Sequence, residues 1–275
     1  MTSTKTIPQV LSCQELKELL QTSPPQVVVL EADIGKQVEA NFKEGHIPTA
    51  QYFDQLEYTT PTAFIPRGLP DVKSFEDYLT RLGVSNEDHI VLYDRSAAGF
   101  FAAGRAWFLL KTYGVDNVSI LNGGFQAWAR EINEIETLET NPPKKEVEYL
   151  SLRITSQIHL MLQTKKFTVK LNEQMVRYFD QITSNLSLDA NSSQRVQVVD
   201  ARPPNLFYVF KKAGVDLSKP AIYTCQGGIT ASVLAFVAHL LGQNEHSVYM
   251  GAFTEWQQRA PADMIIKGDV KPTVS

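Results

Sequence analysis

Pro220-Ala221-Ile222-Tyr223-Thr224-Cys225-Gln226-Gly227-Gly228-Ile229-Thr230 runs from an apolar strand into a tight corner, and a helical pattern follows from Ala231 to Leu241. A thiol at such a corner meets the free N–H groups and positive dipole end of the helix, which favour negative charge on sulfur. A lone cysteine after an apolar strand is more often a small core residue. The paired glycines Gly227 and Gly228 weigh against that here, because they let the backbone turn tightly with its amides facing the sulfur, which packing alone does not require. Cys225 is therefore the candidate nucleophile, and Gln226, Gly227, Gly228, Ile229 and Thr230 are the candidate cradle.

Working outward, the same pattern occurs earlier in the chain. His89-Ile90-Val91-Leu92-Tyr93-Asp94, a Gly-containing loop, the helical run Ala102 to Leu110, and Val118 to Phe125 ending in Trp128 match Pro220 to Cys225, its loop, Ala231 to Leu241, and His246 to Phe253 ending in Trp256. Upstream, Val27-Val28-Val29-Leu30-Glu31 matches Val196-Gln197-Val198-Val199-Asp200. Val10-Leu11-Ser12 with Glu15 to Leu20 matches Val169-Lys170-Leu171 with Glu173 to Phe179. Short apolar strands alternating with helical patterns predict two duplicated α/β domains, each a parallel sheet flanked by helices. Asp94 takes the place of Cys225 in the first copy, so that copy has no nucleophile.

The motif Cys225-Gln226-Gly227-Gly228-Ile229-Thr230-Ala231 resembles the active-site loop of the rhodanese family, sulfurtransferases that carry sulfur as a cysteine persulfide. Glu44-Gly45-His46-Ile47-Pro48, Leu121 to Trp128 and Gly251 to Trp256 extend the resemblance over most of the chain. It implies tandem rhodanese-like domains: residues 1–137 non-catalytic, 138–166 a linker containing Pro142-Pro143-Lys144-Lys145, 167–264 a shortened catalytic domain, and 265–275 a tail. The neutral loop is similar to that of 3-mercaptopyruvate sulfurtransferases, with thiosulfate as the other donor. The implied chemistry uses Cys225 as nucleophile, a small-molecule sulfur donor, and as acceptor either a thiol such as thioredoxin or dihydrolipoate, or cyanide. The first domain is expected to pack on the second and wall one side of a cleft.

Composition sets limits that agree with this reading. The chain has 275 residues, 43% hydrophobic and 20% charged, with a net charge of −4, which argues against a nucleic-acid surface. No apolar run is long enough to span a membrane, and the N-terminus reads as neither signal nor transit peptide. Two cysteines, Cys13 and Cys225, are too few for a disulfide framework and suit a reducing compartment, cytoplasm or mitochondrial matrix. Cys13 lacks a Gly-rich cradle and reads as structural. The five histidines have no ligand spacing and no phosphate-binding loop is present, so neither metal nor cofactor is expected.

The chain also departs from the family. Glu31 and His89 are 58 positions apart, whereas Asp200 and Pro220 are only 20 apart, a shortfall of 38 that removes the second Gly-His-Ile-Pro segment, an edge strand and most of a helix. The resemblance places the arginines that grip mercaptopyruvate in that missing stretch. Arg202 is the one arginine near it, a candidate for substrate binding or for supporting the loop; Lys211, Lys212 and Arg105 are further basic candidates. The family's relay Asp, His and Ser fall on Leu56, Phe64 and Gly227. These losses predict weak donor binding and a slow or impaired enzyme. The alternative is a catalytically impaired rhodanese-like interaction or regulatory protein. A cysteine phosphatase of this fold would need an arginine where Ala231 stands.

Overall fold

Strands such as Val27–Asp33 and His89–Tyr93 are apolar at consecutive positions, which suits strands covered on both faces. The computed structural model describes residues 7–22, 27–138, 167–202, 210 and 213–265. In the first domain, β1 (Val10–Leu11), β2 (Val27–Asp33), β3 (Gln51–Asp54), β4 (His89–Tyr93) and β5 (Val118–Leu121) form a parallel sheet in the order β1-β5-β4-β2-β3. Helices α1 (Cys13–Thr22), α2 (Glu39–Glu44) and α5 (Gly124–Glu131) contribute to the core on one face. Helices α3 (Val72–Arg81) and α4 (Phe101–Thr112) contribute to the core on the other.

The second sheet is parallel and has four strands, β6 (Val176–Arg177), β7 (Gln197–Asp200), β8 (Ala221–Thr224) and β9 (His246–Tyr249), in the order β6-β9-β8-β7. Helices α6 (Phe179–Leu186), α7 (Ile229–Leu240) and α8 (Ala252–Arg259) accompany it. Registers Glu31↔Tyr93 and Asp200↔Thr224 align the two domains as their sequences do and put Asp94 and Cys225 at equivalent corners. Among the described residues the second sheet has no counterpart of β3. Its outer face is thinly covered: among the described residues its cluster holds three buried residues, Ile182, Ile222 and Tyr249, against twelve in the corresponding first-domain cluster, which includes Phe42, Ile47 and Ala50. A cleft of about 340 Å³ lies there, lined in part by Val198, Arg202, Phe253 and Met264.

Helices α4 and α7 pack against each other and share one core cluster with residues of both sheets. This explains their composition, because a helix covered by its own sheet and by a neighbouring domain is apolar nearly all round. Arg105 is the one charged residue in the body of α4, with Lys111 in its last turn. Gly104 permits the close approach, since a methyl group there would lie 3.3 Å from Val233 Cγ1. Trp107 packs beside Phe236, His239 and His246.

One expected repeat is corrected. Val169-Lys170-Leu171 does not reproduce β1, and Glu173 to Phe179 does not reproduce α1; the equivalents are β6 and α6, preceded by a 3₁₀ turn at Glu173–Met175. Residues 169–172 run along the first domain instead. Lys170 N donates to Tyr113 O at 3.1 Å, Asn172 N to Thr112 O at 2.7 Å and Val169 N to Glu76 Oε1 at 3.0 Å. The physical reason is that the last carbonyls of α4 need donors. The expected linker, apart from Leu138, and the expected tail, apart from Ile265, lie outside the described residues.

Candidate active site

Cys225 follows β8 directly and is buried, while Gly228 caps α7 with a left-handed φ of +86°. That conformation is open to glycine at little cost, and it turns the Gly228 amide back toward the thiol: Gly228 N donates to Cys225 Sγ at 3.1 Å. The corner is held from α8, where Phe253 N donates to Cys225 O at 2.9 Å and Thr254 Oγ1 to Gln226 O at 2.7 Å. Gln226 and Gly227 complete the turn, and Ile229 and Thr230 begin α7; of the five expected cradle residues, Gly228 supplies the amide bonded to the sulfur.

The first-domain corner is built the same way, with Phe125 N donating to Asp94 O at 2.9 Å. Its side chain differs. The Asp94 side chain accepts from Ser96 N at 2.9 Å, Ser96 Oγ at 2.7 Å and Ala103 N at 2.9 Å, so its oxygens take one amide of the corner loop and one from the first turn of α4.

Arg202 pairs with Asp200, with Nε 2.9 Å from either carboxylate oxygen, and lies over the Phe253 ring at 3.6 Å. The first domain fills the equivalent place with Glu31, Phe125 and Arg95, whose guanidinium sits 3.8 Å over the ring. The acid–guanidinium–aromatic stack is thus common to both domains although the arginine comes from different loops. This arrangement favours loop support for Arg202.

Two first-domain arginines stand at the Cys225 loop. A methyl group placed on Gly227 would lie 3.2 Å from Arg67 Nη1, and Arg105 Nη2 donates to Arg67 O at 3.2 Å. Arg67 is exposed; Arg105 is buried, and its Nε has no partner among the described residues. Burial, then the charge of Arg67, pushes the Arg105 guanidinium down to about 10, while negative charge at Cys225 acts in the opposite direction. Of the further basic candidates, Arg105 thus stands near the Cys225 loop, joined there by Arg67. Arg67 was missed because no local pattern marks it; the 60s loop is brought across by domain packing, as Phe64 beneath Arg259 also shows. Arg105 carried a signal, a charge inside an apolar helix. Lys211 and Lys212 lie outside the described residues, and Leu56 and Phe64 supply no relay. Among the described residues no cluster of His, Cys, Asp and Glu could hold a metal, and no helix is long and apolar enough to cross a membrane.

Two parallel α/β sheets flanked by helices, with a thiol at a strand–helix corner of the second, define a tandem-domain α/β protein. The rhodanese-like domain family matches residues 12–131. Thiosulfate sulfurtransferase from Gallus gallus is 32% identical over 259 residues, covering 80% of this chain and 81% of that protein. 3-Mercaptopyruvate sulfurtransferase from Homo sapiens is 28% identical over 252 residues, covering 86% and 85%. The chain belongs to the rhodanese family and is a rhodanese-type sulfurtransferase. Its fold is similar to that of SseA from Escherichia coli, with a TM-score of 0.67 at 23% identity covering 90% of this chain and 99% of that one. It is also similar to a sulfur transferase subunit of yeast mitochondrial complex I, with a TM-score of 0.71 at 24% identity covering 95% and 100%.

Proposed function

We propose that the protein moves a sulfane sulfur from 3-mercaptopyruvate, or alternatively thiosulfate, to a thiol such as thioredoxin or to cyanide, through a persulfide on Cys225. The observation that carries this reading is the Gly228 amide donating to Cys225 Sγ at the start of α7. An N–H there stabilises the thiolate, and then the charge on the outer sulfur, as an oxyanion hole stabilises oxygen. The thiolate attacks the donor sulfur and the carbon–sulfur bond breaks. Its electron pair passes to the carbon, which takes the donor's thiol proton and leaves as pyruvate. An acceptor thiolate then attacks the outer sulfur and returns Cys225 as thiolate. Splitting the transfer in two lowers each barrier.

The neutral pair Gln226-Gly227 supports mercaptopyruvate, and the similarity to sulfurtransferases named for either donor keeps thiosulfate as the alternative. Leu56, Phe64 and Gly227 in place of a relay support slow turnover. Free Cys13 and Cys225 suit a reducing compartment such as the cytoplasm. The test is steady-state transfer from each donor to cyanide and to reduced thioredoxin. Cys225→Ser should abolish transfer from both donors; a folded Cys225→Ser protein with unchanged rates would refute the mechanism.

A further inference from the structure

We propose that Arg67, from the domain without a nucleophile, binds the anionic end of the sulfur donor above Cys225, with Arg105 holding it in place; this rests on the sulfur-transfer reading for the donor's identity, but not for anion binding itself. The position is the first argument. Arg67 Nη1 lies where it would meet a side chain on Gly227 at 3.2 Å, immediately beside the nucleophile. A side chain at position 227, such as the serine that the family resemblance puts there, would have to shift that guanidinium by a few tenths of an ångström, whereas Gly227 leaves Arg67 its place.

Charge accounting is the second argument. Among the described residues neither Arg67 nor Arg105 forms an ion pair, although Arg105 is 2% exposed and bonded to the Arg67 backbone. Burying one cation beside another is unfavourable, and burial and Arg67's charge already depress the Arg105 guanidinium. An anion shared by the pair offsets this, and a guanidinium matches a carboxylate or the oxygens of thiosulfate through paired hydrogen bonds. By contrast Arg202, in the second domain, is committed to Asp200. The donor would therefore bridge the domains, with its sulfur on one and its anionic group on the other.

Iodoacetate and iodoacetamide differ in charge and alkylate the same thiol, so the ratio of their rates at Cys225 reports the cation and cancels changes in sulfur reactivity. Peptide mass spectrometry on the full chain should find that this ratio falls about tenfold or more in Arg67→Ala, as loss of one charge-assisted contact requires. Arg67→Lys should recover part of it. Gly227→Ser should lower it with Arg67 itself unsubstituted, and Arg105→Lys should lower it as well. The Michaelis constants for mercaptopyruvate and thiosulfate should rise in Arg67→Ala, in whichever arm the donor is used, with little change in kcat. An unchanged ratio in Arg67→Ala would overturn the inference even if sulfur transfer proceeds. A reduced ratio in a protein that no donor loads would uphold it and refute the sulfur-transfer reading instead.

Discussion

Cys225 and Cys13 are both buried, yet they meet opposite surroundings. Burial, and then the charge of Glu131, pushes the Cys13 thiol up to about 11, whereas Cys225 receives an amide hydrogen bond on its sulfur. Because the thiolate is the reactive form, iodoacetamide at neutral pH should modify Cys225 at least about tenfold faster than Cys13. Peptide mapping checks this, and equal rates would contradict it. Gly228 gives a second expectation. At φ +86° an alanine costs roughly 1–2 kcal/mol and tends to swing the amide off the sulfur. Gly228→Ala should thus lose about tenfold or more in transfer rate while remaining folded, as followed by circular dichroism; a full rate would remove the amide from the mechanism.

The strand–corner–helix element occurs twice, and the two corners show how one backbone serves two ends. In the first, the Asp94 carboxylate saturates Ser96 N and Ala103 N; in the second, sulfur takes the Gly228 amide. Placing a thiol at the first corner should not suffice, because Arg95-Ser96-Ala97-Ala98-Gly99 lacks paired glycines. Asp94→Cys in a Cys225→Ser background should gain no sulfur on residue 94 by mass, and such an adduct would refute the division of labour. Most of this element was legible, since β8, α4 and α7 follow apolar runs closed by glycine corners. The start of the second domain was not. Val169-Lys170-Leu171 is as apolar as a strand, but it serves the carbonyl ends of α4, and the real edge strand, Val176–Arg177, is too short to show a pattern.

Across the whole molecule, the α4–α7 packing joins the two domains and brings Arg67 to the second domain's loop, a proximity no local sequence pattern encodes. The same interface contains a titrating group. His246 lies against Trp107 and His239; burial lowers it from 6.5 to about 4, with the charges of His239 and Lys111 adding and the Gln243 carbonyl opposing. Below about pH 6.5 the unfolded chain binds a proton that the folded chain refuses, so this contribution is intact above that pH, is lost toward pH 4 and levels off below it. The loss should be on the order of 2 kcal/mol. Urea midpoints at pH 7 and pH 4.5 should therefore differ more in the wild type than in His246→Gln, and identical shifts would contradict it. The central claim, that Cys225 carries sulfur, has a more direct test in intact mass spectrometry after brief exposure to 3-mercaptopyruvate or thiosulfate. The wild-type protein should gain one sulfur atom, located on Cys225, absent from Cys225→Ser and discharged by cyanide; a folded wild-type protein that gains no sulfur from either donor would refute sulfur carriage by Cys225.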